Sequence, residues 1–185
     1  MWWTSVLRAR LLRSDESAVF QVTLVADDGS TQQVSSVILE AMSAVFERML
    51  RVDMVEKAEK RIRMTGVGGT ALALLGCFLS TGHVLGRLLT PLSVPVQLLK
   101  VAHMYELGRL KERIDYELWK KVTDDNAMEL LELALTIGSE QLVDEVFVAL
   151  NAVPREELCK SEAFKRAVTN HWDAVVRRMR FAFPL

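Results

Sequence analysis

The chain has 185 residues, a length that fits one domain or one domain with an extension. Half of it is hydrophobic and the formal net charge is -1, so it can build an ordinary core and has no overall field drawing it to nucleic acid or anionic lipid. Its two cysteines, Cys77 and Cys159, lie far apart in apolar or helical surroundings. That excludes a disulfide-built secreted fold and points to a reducing compartment, cytoplasmic or nuclear.

Residues 1–16 read as an amphipathic first helix with Val6, Leu7 and Leu11 on one face. Arg8 and Arg10 interrupt the apolar run, which excludes a secretory signal, while Arg8, Arg10 and Arg13 ahead of the first acid also fit a transit peptide. Phe20, Val22, Leu24 and Ala26 then alternate with Gln21, Thr23 and Val25 as in a strand. Asp28-Gly29 predicts a tight type I′ hairpin turn, and Thr31 to Val34 the returning strand. Ser35 and Ser36 are candidate caps for a helix carrying Val37, Ile38, Ala41 and Met42. Ser43 would cap a second helix with Val45, Phe46, Met49 and Leu50. Lys60 to Thr65 alternates again as a half-exposed strand.

From about Gly69 to Ser80 a helix is apolar all round and should be buried, with Thr81-Gly82 as its stop. The stretch GVGGTALALLGCFLSTG is too short and glycine-rich to span a bilayer, which takes about 20 apolar residues. Pro91 and Pro95 bracket the next helix start, with Ser93 as its cap, and everything after it has helical periodicity. Strands first and helices later, without βαβ alternation, give an α+β class.

A weak repeat runs through the helical half. Leu98, Leu99, Ala102, Leu110, Ile114 and Leu118 correspond to Leu130, Leu131, Ala134, Leu142, Val146 and Leu150, each pair 32 positions apart. Gly108 and Gly138 fall near the turn of each copy. Each copy is a helical hairpin with one apolar seam that a neighbour must cover. The last stretch, Glu156 to Phe183, stays helical, with Pro154 and Ser161 at helix starts, but drops the repeat.

Catalytic chemistry finds no support. Gly66-Val67-Gly68-Gly69-Thr70-Ala71 fits G-x-G-x-x-A between a strand and a helix, but GRLLTPLS supplies no acid about 20 positions on. A flexible connection explains the glycines. His83, His103 and His171 share no metal-ligand spacing with each other or the cysteines, so no metal and no cofactor are expected. Glu129 and Glu132 are explained by a solvated helix face and a capping box from Asn126. Arg177, Arg178 and Arg180 beside Phe181 and Phe183 suit a helix C-terminus better than a nucleic-acid patch. No acid–base or nucleophile set converges, so the chain is not expected to be an enzyme.

The strand pair, the helices VILEAMSAVFERML, the strand RIRM, the helix ending FLSTG and the stretch LLKVAHMYELGRLKE together resemble a BTB/POZ domain. Asp124 to Asn151 and, more loosely, the remainder resemble the helical extension of the speckle-type POZ proteins, so that the likeness runs from about Val19 to Asn151. It implies a BTB/POZ domain over 17–121 and a helical BACK-like extension over 122–183, after the N-terminal helix 1–16. It also implies a protein–protein interaction module, a dimeric adaptor that brings a substrate protein to a cullin-3 RING ubiquitin ligase. The cullin contact in such adaptors is an apolar-x-Glu triplet, which places Met54, Val55 and Glu56 in that role together with Tyr105. Met54 would insert into the scaffold, and the Glu56 carboxylate would accept a charge-assisted hydrogen bond. Leu7, Leu11 and Ile38 would form the homodimer patch.

The chain also departs from the family pattern. An Asp, a His and a basic residue usual in the family are replaced by Gln21, Ser35 and Ser36, and the Tyr of Y-T-G by Ser80. The charged dimer pocket of transcription-factor relatives is therefore not expected. The alternative function is a structural oligomerisation scaffold without a ligase. No separate substrate-binding pattern is present, so the chain is either a piece of a longer protein or captures its substrate through its helical tail or a partner. Neither nucleic acid nor membrane is an expected partner.

Overall fold

A computed structural model describes residues 19–51, 58–84 and 89–182. Three strands form one sheet: β1 (Gln21–Val25), β2 (Thr31–Ser35) and β3 (Arg61–Arg63), in the order β2-β1-β3. β1 is antiparallel to β2, with Val22 opposite Val34, and parallel to β3, with Leu24 opposite Ile62. All four of these apolar residues are buried, as the period-2 pattern requires for a one-sided sheet.

Helices follow as α1 (Ser36–Met42), α2 (Ala44–Arg51), α3 (Gly69–Thr81), α4 (Ser93–Met104), α5 (Gly108–Trp119), α6 (Asp124–Ile137), α7 (Glu140–Leu150), α8 (Arg155–Lys160), α9 (Glu162–Asn170) and α10 (Trp172–Ala182). The fold is the expected α+β arrangement, a small sheet with flanking helices followed by a wholly helical stretch. The described residues form two compact units that meet in sequence between Ile114 and Asp115, inside α5.

In the first unit α3 packs on β2, α1 and α4. It buries Leu72, Leu74, Leu75, Phe78 and Leu79, in keeping with a helix apolar on nearly every face. In the second unit α6 packs on α7 and α9, and α10 on α7 and α9. All twelve paired apolar positions of the 32-residue repeat are buried, so the sequence pattern does mark the two seams.

Several local expectations are corrected. The hairpin turn is not type I′, since only Gly29 has positive φ, at 83°. The Gly29 N–H donates to the Ala26 carbonyl at 3.1 Å, and the Ala26 N–H to Ser30 at 2.9 Å. Asp27-Asp28-Gly29 is thus a three-residue loop that needs a left-handed residue once, at its end. Ser36 does not cap α1; it is the first helical residue, and its hydroxyl accepts from the Phe20 N–H across the sheet edge. Ser35 occupies the cap position without a side-chain cap bond. Ser93 likewise lies inside α4. The box ahead of α6 starts at Thr123, whose N–H donates to Asn126 Oδ1 at 2.9 Å. Gly108 does lie at the α4–α5 corner, where Glu106 holds the positive φ, at 52°.

Candidate functional site

The glycine stretch before α3 is where a phosphate would have to sit. Its amides already have acceptors: Gly66 N–H donates to Asp27 Oδ2, Gly68 N–H to Gln97 Oε1 and Gly69 N–H to Asp28 Oδ2, at 2.7, 3.0 and 2.7 Å. The N–H groups of Ser30 and then Gly69 hold the Asp28 carboxyl below its ordinary value of 3.8. The charge that favours a helix N-terminus is supplied by the hairpin itself. A side chain at Gly69 would meet Ser30 Oγ at 2.5 Å, so the glycine serves this close approach of turn to helix. The G-x-G-x-x-A match is therefore a structural latch.

The other chemical candidates also fall into structural roles. Among the described residues no three His, Cys, Asp or Glu side chains group as metal ligands. No described helix is long and apolar enough to cross a membrane. Arg178 donates from Nε to Asp144 Oδ1 at 3.1 Å and from its terminal nitrogen to Glu140. A guanidinium committed to two carboxylates does not offer a phosphate site.

What remains is surface suited to partners. α1 turns Ser36, Val37 and Leu39 inward. It leaves Ile38, Ala41 and Met42 half-buried, at positions i, i+3 and i+4 of one face. Of the four apolar positions at helical spacing, Val37 is buried and the stripe Ile38, Ala41 and Met42 lies partly in solvent. Ile38 is in that stripe; Leu7 and Leu11 lie outside the described residues.

The second surface lies where the start of α2 meets the α4–α5 corner. Met54, Val55 and Glu56 lie outside the described residues, in the segment that joins α2 to β3. Phe46 of α2, fully buried, stacks on Tyr105 with centroids 4.4 Å apart and an interplanar angle of 17°. Ser43 binds the same two residues: its hydroxyl donates to the Tyr105 carbonyl at 2.6 Å and accepts from the Phe46 N–H at 3.1 Å. It is thereby the N-terminal cap of α2, as its position in sequence predicts. Tyr105 is itself only 6 % exposed, whereas the preceding Met104 is 58 % exposed and His103 is exposed. The α4–α5 corner therefore presents His103 and Met104 outward and uses Tyr105 to grip α2. Sequence reasoning singled out Tyr105 and passed over Met104. The signal was an apolar residue out of phase with the seam Leu98, Leu99 and Ala102.

Two faces offer apolar side chains to a partner, and they sit on a small mixed sheet wrapped by helices. The family model for the BTB/POZ domain matches residues 11–122, more than half of the chain. The chain belongs to the BTB/POZ family, and it is on that ground a protein–protein interaction module.

Proposed function

We propose that this chain is a non-catalytic, dimeric substrate adaptor that recruits a cullin-3 RING ubiquitin ligase. The observation that carries the reading is the clamp at the start of α2, which fixes the helix whose far end leads into the triplet. Phe46 and Ser43 fix that helix to Tyr105, and Met54-Val55-Glu56 follows it in sequence. The triplet then makes the direct contact, while buried Tyr105 holds the helix from which it departs. Preorganising the platform in this way lowers the ordering cost of binding. Homodimerisation would use Leu7 and Leu11 with the half-exposed Ile38 stripe of α1. The BTB/POZ domain would span 17–121 and the BACK-like extension 122–183, with the substrate taken by the extension or by a partner. The speckle-type POZ proteins are the relatives this reading takes as its model. Both described cysteines are free, in keeping with a cytoplasmic or nuclear location.

Binding to a cullin-3 N-terminal region, measured by calorimetry, tests the reading. The chain should bind, Met54→Asp should abolish binding with an unchanged thermal melt, and Glu56→Ala should weaken it. Light scattering should give a concentration-dependent mass that Ile38→Asp reduces to that of one chain. A chain that dimerises but never binds the cullin region is a structural scaffold, and the adaptor reading falls.

A further inference from the structure

The C-terminal helix α10 is attached differently from its neighbours. Among its side chains described, Val175 is the buried one, whereas α6 buries seven residues along its length. Three positions on from Val175, Arg178 lies on the same face and is largely covered, with its side chain 18 % exposed. It bonds Asp144 and Glu140, which are one turn apart on α7. Those carboxylates are themselves 68 % and 82 % exposed. Trp172, at the start of α10, points largely into solvent, and a single residue, His171, separates α10 from α9.

Among the described side chains of α10 one valine is buried, Ala174, Val176 and Met179 are half-buried and one arginine is ion-paired, so part of the attachment is a contact that salt can screen. Its neighbours are held by apolar burial, which salt does not weaken. We propose that α10 is an electrostatic latch: a helix that opens from α7 as a local unit when the Arg178 clasp is screened or neutralised, while α6, α7 and α9 stay folded. Opening about His171 frees Arg178, Asp144 and Glu140 together. A charged partner that competes for either side of the clasp would open the latch in the same way.

Amide hydrogen exchange of the full chain tests this, comparing residues 176–182 with α6 and α7. Between about 0.01 M and about 1 M salt the screening length falls from about 30 Å to about 3 Å. Over that range the α10 amides should exchange about two- to fivefold faster, with α6 and α7 unchanged. Arg178→Gln should reproduce the faster exchange at low salt and abolish the further response to salt, and Asp144→Asn should do so in part. Three results would overturn the proposal: α10 protection that does not respond to salt, a salt response that survives Arg178→Gln, or exchange of α10 in step with α6 and α7 in every variant.

Discussion

Ser43→Ala should be the most damaging single-oxygen deletion in the first unit. The hydroxyl is 3 % exposed as part of its residue and serves two elements at once. Losing the cap on the Phe46 N–H costs about 0.5–2 kcal/mol. Depriving the Tyr105 carbonyl of its 2.6 Å donor costs a further 1–3 kcal/mol, roughly. The two losses share one cluster and are not strictly additive, so the expected total is about 2–4 kcal/mol. Because the chain has two units, a global melt mixes them. Amide exchange in α2 and α4 isolates the effect, and 2–4 kcal/mol corresponds to roughly 30- to 700-fold faster exchange there. Ser35→Ala is the matched control, since Ser35 sits at a cap position without a cap bond; it should change exchange in α1 by less than about threefold. Equal effects of the two substitutions, or less than about threefold for Ser43→Ala, would refute the argument that the hydroxyl joins α2 to the α4–α5 corner.

Asp28 contributes a pH dependence to the first unit. Its carboxyl is held below 3.8 by the Ser30 and Gly69 amides, so its contribution is present above the unfolded value and fades as pH falls through the lower folded value. Asp28→Asn should lower the melting temperature at neutral pH and flatten its decline below about pH 4, and carboxyl titration by NMR should place Asp28 below 3.8. Glu106 holds φ 52°, so Glu106→Gly should raise stability by up to about 1 kcal/mol, read as slower exchange in α4. Leu130→Ala removes a fully buried seam residue and should cost about 2–5 kcal/mol, visible as an earlier unfolding transition by circular dichroism.

Much of the architecture was legible in the residues. Alternation in Phe20 to Ala26 and in Lys60 to Thr65 located β1 and β3, because a sheet covered on one face forces period 2. The 32-residue repeat located both seams, because a helical hairpin buries one stripe. Reasoning failed where a residue's role depended on something distant in the chain. Ser36 resembles a cap, yet its partner is Phe20, just ahead of β1. Gly66 to Gly69 resembles an anion cradle until Asp27 and Asp28, some 40 positions earlier, turn out to fill it. Ile38, Ala41 and Met42 have the spacing of a core stripe, and periodicity cannot say which side of an amphipathic helix meets the sheet.

The proposed contact surface divides along the same line. The triplet Met54-Val55-Glu56 and the aromatic Tyr105 are matters of local sequence, and their proposed role follows from the resemblance that the strand pair and helices carry. That Tyr105 grips α2 through Phe46 and Ser43, while Met104 faces outward, is decided by a contact across 62 positions. Local sequence determines which elements form, since propensity and periodicity act over a few residues. Only the tertiary structure decides which of two equivalent faces is spent on the core and which is left for a partner.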